Sequence, residues 1–388
     1  MSEARLYRVA LPMSVGFDHP AARRTTSDSL VLALTLDGVT GVGECAPRPY
    51  VTGETSDGVT EALRRTSLDK LFARLRERPP GQLLDRLRET GFEETFDTGG
   101  GNNLVCLLET AVLDLLGRRL GRPAGELVWP GAAVADRVRI SQVLDLSIRA
   151  EEFLDTRGPF HFVKVKASDD IARDVATVTT IRQRLGPGVP VMVDANMSWT
   201  PATAVAHARR LRAAGVSLVE EPLPRRSWDD LRVLRRESGI GVLLDESVCT
   251  LDDARAAVAH DACDAVNVRV AKNGGLFASA RLVEYARAAG LGFQIGVQVA
   301  ETGPLINASR ALALRAPDAL AVEGGQSDRF FPHMIVSPRP AVDRTANTVA
   351  PADGPGLALH LNGNAERWAA LAWTPAGWHP ITSEETPR

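Results

Sequence analysis

Three segments of the chain run through apolar residues and stop at a carboxylate. VPVMVDAN ends at Asp194, VSLVEEP at Glu220 and Glu221, and IGVLLDES at Asp245 and Glu246. An earlier segment, Phe162-Val163-Lys164-Val165-Lys166-Ala167, carries two lysines. Alternate strand residues share a face, so Lys164 and Lys166 point the same way. Strands of a parallel barrel are buried on both sides, and two ammonium groups there need compensating anions. The carboxylates at neighbouring strand ends supply them. Purely structural salt bridges are the alternative, but burying several charges in one place rarely serves stability. Asp194, Glu220 and Asp245 are hard oxygen ligands without His or Cys beside them, which predicts Mg²⁺, with Mn²⁺ as a substitute. A substrate carboxylate at such a metal becomes more acidic at its α-carbon, because the metal stabilises the enediolate. A lysine whose pKa is lowered by burial and cationic neighbours is the natural base. The predicted chemistry is proton abstraction α to a carboxylate, which makes the chain an enzyme.

The elements that must position these residues follow from the surrounding pattern. Leu30–Leu36 reads as an apolar strand, Asp37-Gly38 as a turn and Val42–Glu44 as a short strand. Pro47–Gly53 reads as a loop too stiff and polar for a core. Leu104–Leu116 has helical apolar spacing, punctuated by Gly121 and Pro123. Gly99-Gly100-Gly101-Asn102 follows no strand and reads as a helix-entry loop, not a dinucleotide fingerprint. From about residue 137 strands and amphipathic helices alternate. The strand candidates are Val138–Val143, Phe162–Ala167, Val189–Asp194, Ser217–Glu220, Val242–Asp245, Ala265–Val270, Gly292–Val297 and Ala319–Val322. Their spacing of roughly 25 residues is that of (β/α) barrel units. The predicted class is therefore α/β: an α+β capping domain with specificity loops over residues 1–130, a (β/α) barrel over 135–330, and a tail over 331–388 that returns to the cap.

Composition excludes several classes. The 388 residues are 44% hydrophobic and 24% charged, with net charge −3 and no basic stripe. Nucleic acid and acidic membrane surfaces are not expected partners. Four scattered cysteines form no CxxC pair, and no apolar run approaches membrane-spanning length. A cytoplasmic location is expected.

Together, Lys164-Val165-Lys166, the DAN of Asp194–Asn196, the EEP of Glu220–Pro222, the DES of Asp245–Ser247 and the KNGG of Lys272–Gly275 resemble the enolase superfamily, specifically its muconate-lactonizing subgroup. The likeness extends to Gly43-Glu44, Pro47–Thr55, Glu109–Asp114 and Gly354–Leu361. It implies an enolase-type barrel and Mg²⁺ on Asp194, Glu220 and Asp245. It also implies Lys166 as the base, Lys164 as a partner of the substrate carboxylate, and substrate contact by Glu301 and by loops Ser14–Ser27 and Pro47–Thr55. Tyr50 and Glu323 are further candidate substrate contacts. A small-molecule carboxylate and a homo-oligomer are the expected partners.

The pattern breaks at Arg269, which stands where the resemblance expects a second lysine. Arginine stays protonated at ordinary pH and is a poor acid–base partner. This favours dehydration or cycloisomerisation, with Arg269 holding an anion or pairing with Asp245 or Glu246. The alternatives are a two-base racemase or epimerase of an N-acylamino acid or dipeptide, with Arg269 or Lys272 in the second role, and a non-catalytic metal-binding scaffold. Lys272 is out of phase with Arg269 unless the chain bends before Gly274-Gly275. No His ends the seventh strand. The eighth lacks paired aspartates, leaving Glu323 alone to bind a cation. His19 and Arg23-Arg24 are candidates for a distal anionic group on the substrate.

Overall fold

The computed structural model describes residues 1–19 and 22–381; the side chains of His19 and Arg23 fall outside that description. At the N-terminus, Ser29–Leu36 is buried along almost its whole length, as its apolar run requires. It turns at Asp37 and Gly38, both at positive φ, into Val39–Cys45. This is the geometry that a two-residue hairpin demands and that Asp-Gly tolerates. These strands lie in a five-stranded antiparallel sheet whose order is Gly377–Pro380, Ala369–Thr374, Ser2–Val9, Ser29–Leu36, Val39–Cys45. The last segments of the described chain thus lie beside its first strand. Helix Asn102–Leu120 packs flat on Val39–Cys45. It comes so close that a Cβ on Gly41 or Gly43 would sit 2.3 Å from the carbonyl oxygens of Ala111 or Leu107. Only glycine permits that approach.

The second sheet has eight strands in sequential order, all parallel. They are Gln142–Leu144, Val163–Lys166, Val191–Asp194, Leu218–Glu220, Gly241–Leu244, Ala265–Val268, Gly292–Ile295 and Ala321–Val322. The Ser141 N–H donates to the Val322 carbonyl at 2.8 Å and joins the two edges. Helices such as Ile171–Leu185 and Leu276–Ala288 lie between the strands. The expected (β/α) barrel with its α+β cap is the fold observed. One strand prediction is corrected. Val138–Val143 is divided, because Val138–Arg139 pairs with Thr348–Val349 and only Gln142–Leu144 enters the barrel. The Pro47–Gly53 stretch is a second correction. It holds a short helix, Pro49–Thr52, and Arg48 is buried there by hydrogen bonds to three carbonyls. Among the described residues no helix is long and apolar enough to cross a membrane.

The two sheets are joined by carboxylates of the cap set at the starts of barrel helices. Glu44 accepts from Thr302 N (2.7 Å), Thr302 Oγ1 (2.9 Å), Gly303 N and Leu305 N (3.1 Å each) at the head of helix Pro304–Ala313. Glu109 accepts from Phe277 N (3.1 Å) at the head of Leu276–Ala288. Helix N-termini leave N–H groups unsatisfied and favour negative charge, so these carboxylates dock where donors are free. Glu44→Ala strands four buried donors and should lower unfolding free energy by about 3 kcal/mol, with Glu44→Gln costing less. Urea titrations in which both variants match the wild type would show that the clamp contributes nothing.

Candidate active site

Strand register sets the site. Lys166 is level with Asp194, and Asp194 with Glu220, across adjacent strands. Asp245 follows directly on the next strand, Gly241–Leu244. Period two turns Lys164 and Lys166 into the barrel and Val163 and Val165 away from it. Lys164 Nζ lies 2.8 Å from Asp194 Oδ2, 2.8 Å from Glu220 Oε2 and 3.0 Å from Glu323 Oε1. Lys166 Nζ donates to Asp194 Oδ2 at 2.6 Å and to Asn196 Oδ1 at 2.9 Å. Across the barrel, Arg269 pairs through Nη2 with Asp245 Oδ2, stands 3.8 Å from Glu220 Oε1, and donates from Nη1 to Gln298 Oε1 at 3.3 Å.

The structure therefore brings Lys164, Lys166, Asp194, Glu220, Asp245, Arg269 and Glu323 together. A pocket at the mouth is lined by Lys164, Lys166, Arg269, Glu246, Glu301 and Glu323, with Tyr50, Phe17 and Phe330 toward the rim. Asp194, Glu220 and Asp245 are fully buried and lie behind the cations. Lys272 is not on the pocket. The chain bends after strand six, with Asn273 N–H bonded to the Arg269 carbonyl, and Lys272 Nζ donates to Asp245 O (2.7 Å), Asp245 Oδ1 (2.9 Å) and Asn267 O (2.7 Å). All its hydrogens are engaged, which removes it from any second-face role.

Electrostatics follow from this packing. Burial alone would lower Lys164, but Asp194, Glu220 and Glu323 hold it well above the usual lysine range. Burial would raise Asp194, yet Lys164 and Lys166 keep it low. Burial likewise opposes the ionisation of Asp245, and Arg269 with Lys272 reverses that. Glu220 goes the other way. Burial, reinforced by Asp194, pushes it up to about 8. Lys164, 2.8 Å from Glu220 Oε2, pulls the other way without overcoming the burial, and that oxygen accepts no hydrogen bond.

Whether this site suits a hard divalent ion can be judged from its donors. Among the described residues no three acidic, His or Cys side chains are already gathered as a metal cradle, because lysine and arginine bridge the carboxylates. Yet the carboxyl groups of Asp194, Glu220, Asp245, Glu246 and Glu323 outnumber Lys164, Lys166, Arg269 and Lys272, and Glu220 keeps a buried oxygen that accepts no hydrogen bond. An all-oxygen donor set whose carboxyl groups outnumber the cations fits Mg²⁺ or Mn²⁺.

Several site residues were missed in the sequence. Asn267 donates to Glu220 Oε1 at 2.9 Å, and it sits two residues before Arg269 on the same strand face, a signal that period two contains. Asn196 was visible within the DAN motif without an assigned task, and Glu246 within DES only as a possible partner of Arg269. Gln298, three residues from Glu301, had no signal.

Comparison with known proteins follows the same lines. A family model described as Enolase C-terminal domain-like matches residues 145–365. A hydrophobic dipeptide epimerase of Citrifermentans bemidjiense is 30% identical over 79% of this chain and 83% of its own length. Muconate cycloisomerase 1 of Pseudomonas putida is 30% identical over 54% of this chain and 57% of its own. The structure of a dipeptide epimerase from Enterococcus faecalis V583, complexed with Mg and the dipeptide L-Leu-L-Tyr, superposes with a TM-score of 0.78 at 22% identity, covering 92% of this chain and 98% of that one.

The Glu220 environment yields a prediction for metal-free protein. A carboxyl raised on folding binds its proton more tightly folded than unfolded, so stability falls as pH climbs from the unfolded value toward about 8. Glu220→Gln escapes this loss. In urea titrations with chelator it should match wild type near pH 4 and exceed it by at least about 1 kcal/mol near pH 9. A gap that stays constant with pH contradicts the assignment.

Proposed function

The chain belongs to the enolase C-terminal domain-like family, and on that premise we propose that it is a Mg²⁺-dependent lyase or isomerase acting on a small carboxylate. The first step is removal of the α-proton by Lys166. Asp194, Glu220 and Asp245 would hold the metal. When bound there, Mg²⁺ supplies positive charge to the substrate carboxylate and acidifies its α-hydrogen. Lys164, anchored by Glu323 at 3.0 Å, steadies that carboxylate. Lys166 takes up the α-proton, and the protonated lysine has Asp194 and Asn196 as its hydrogen-bond acceptors.

The observation that carries this reading is the pairing of Lys166 on strand two with Arg269 on strand six. Those strands face each other across an eight-stranded barrel. Burial would lower Arg269, but Asp245 and Glu246 hold it above even the usual arginine range. It keeps its charge and delivers no proton. With Lys272 fully engaged and Lys164 held charged by its carboxylates, Lys166 is the lysine of the pocket that we assign as the base. One base suffices for dehydration, in which Lys166 removes the α-proton and returns it to the β-hydroxyl, so that the β-carbon–oxygen bond breaks and water leaves. It also suffices for cycloisomerisation, in which the same lysine handles the proton on one face. Epimerisation is the second reading, favoured by the similarity to a hydrophobic dipeptide epimerase. It requires a proton donor opposite Lys166.

The buried free cysteines suit a reducing compartment, and we place the protein in the cytoplasm. We assign specificity to the cap, residues 1–130, through Tyr50 and Phe17, with Glu301 and Glu323 as contacts from the barrel. The tail after residue 331 serves to hold cap and barrel together. A homo-oligomer is the proposed assembly.

Proton NMR in D₂O with Mg²⁺ and a library of hydroxy acids, N-acylamino acids and dipeptides tests this reading. Exchange with retained configuration, or new olefinic or lactone signals, is expected. Exchange with inversion would establish the epimerase instead. Lys166→Ala should slow α-hydrogen exchange by at least about 10³-fold while leaving Mg²⁺ affinity within about threefold. Persistent exchange removes Lys166 as base. Arg269→Lys should introduce racemisation absent from the wild type, detectable by chiral chromatography, and its failure to do so counts against the two-face argument.

A further inference from the structure

The wall of the pocket across from Lys166 holds polar atoms that the chemistry above leaves unused. Arg269 Nε and Gln298 Nε2 are buried donors without a hydrogen-bond partner, and both side chains line the pocket. Arg269 is 7% exposed and Gln298 2%. Other atoms of each group are engaged. Arg269 Nη2 is held by Asp245, and Nη1 donates to Gln298 Oε1 at 3.3 Å. That bond occupies the acceptor end of the amide and turns its NH₂ end free. An unpaired buried donor is costly, and two on neighbouring strand ends call for a shared acceptor.

The backbone beneath Gln298 is fixed as firmly as its side chain. Gln298 N–H donates to Glu301 Oε1 at 2.7 Å. Arg48 of the cap donates to the Val299 carbonyl at 2.8 Å. Ala300 turns at φ 71°, and Glu44 grips Thr302 and Gly303 immediately after. The turn is held from both sides before any ligand arrives, the preorganisation that a specific hydrogen-bonding site needs. Glu301 Oε2 is also unpartnered on this wall. Burial, with Glu44 behind it, raises Glu301 well above the usual carboxylate range, which weakens its repulsion of an anionic ligand. Glu246 lies toward the Asn196 side, its Oε1 accepting from Asn196 Nδ2 at 3.3 Å.

We propose that Arg269 and Gln298 form a subsite for a second carboxylate oxygen of the substrate, across the pocket from Lys166, with Gln298 as its specificity-determining member. This rests on the one-base reading, in which Arg269 is a fixed cation and not a proton carrier. A site built to donate hydrogen bonds discriminates against ligands that lack the acceptor.

The test is calorimetric titration of the full chain with Mg²⁺, using succinate, glutarate and adipate against butyrate, valerate and hexanoate of matching length. At least one dicarboxylate should bind about tenfold tighter than its monocarboxylate partner. Gln298→Leu should reduce that ratio below about threefold without changing monocarboxylate affinity, and Gln298→Glu, nearly isosteric, should invert it. Thermal melts confirm that the variants are folded, and if Gln298→Leu is not, Gln298→Glu decides. No preference at any length, or an unchanged preference in a folded variant, overturns the proposal. Lys166→Ala separates this from the parent reading, because it should keep the dicarboxylate preference while losing α-hydrogen exchange. Exchange that survives in Lys166→Ala condemns the base assignment. A missing preference alongside abolished exchange condemns only the subsite.

Discussion

The structure depends on balancing charge that has been taken out of water. Lys164, Lys166, Arg269, Lys272, Asp194, Glu220, Asp245 and Glu246 are all buried at one end of the barrel. Any of them alone would carry a desolvation cost of several kcal/mol. They are tolerable only as a set, and a set requires that the strand ends meet at one level. Parallel register does this, placing Lys166, Asp194 and Glu220 side by side. A slip of one residue on any of these strands would turn its charge into the helical layer. Charge balance and register are thus one constraint, and the apolar residues before each carboxylate enforce it from below.

The cap is bound to the barrel by a related device. Glu44 and Glu109 are buried carboxylates whose hydrogen-bond partners are backbone N–H groups and, for Glu44, the Thr302 hydroxyl, not cations. Burial raises both, Glu109 to about 7, while the backbone hydrogen bonds pull the other way. Because these groups sit at the heads of helices that follow barrel strands, docking the cap also fixes the loops above the site. The Gln298–Gly303 turn shows this most directly. Arg48 and Glu44 reach it from the cap, and Glu301 closes it from within. Specificity elements on the cap and reacting groups on the barrel are therefore held by shared hydrogen bonds.

What the sequence revealed and what it hid divide along a physical line. Asp194, Glu220 and Asp245 were legible because a strand is a local pattern, and a charge after an apolar run marks its end. Lys164 and Lys166 were legible for the same reason. Lys272 was not, since its direction depends on a bend stabilised by Asn273 and by Gly274 and Gly275 at positive φ. The division of Val138–Val143 was hidden because the partner of its first half, Thr348–Val349, is far along the chain. Glu44 could be seen beside its strand, but not that its acceptor oxygens serve a turn 258 residues away. The polarity of Pro47–Gly53 was misleading because Arg48 is satisfied by carbonyls that only the fold brings to it.

Arg269 is informative because of what it preserves. A neutral residue there would leave Asp245 and Glu220 short of a cation, and the mouth would lose its balance. A lysine would restore the charge but could also exchange a proton with the pocket. Arginine keeps the first property and gives up the second. Its guanidinium has further donors, so one side chain can hold Asp245, orient Gln298 and still keep a buried N–H without a partner, which an ammonium surrounded by carboxylates could not do with the same directionality. Substitution at this single strand end thus separates electrostatic support from proton transfer. Proton chemistry remains on the Lys166 side, and the other side is free to act by holding a ligand in place.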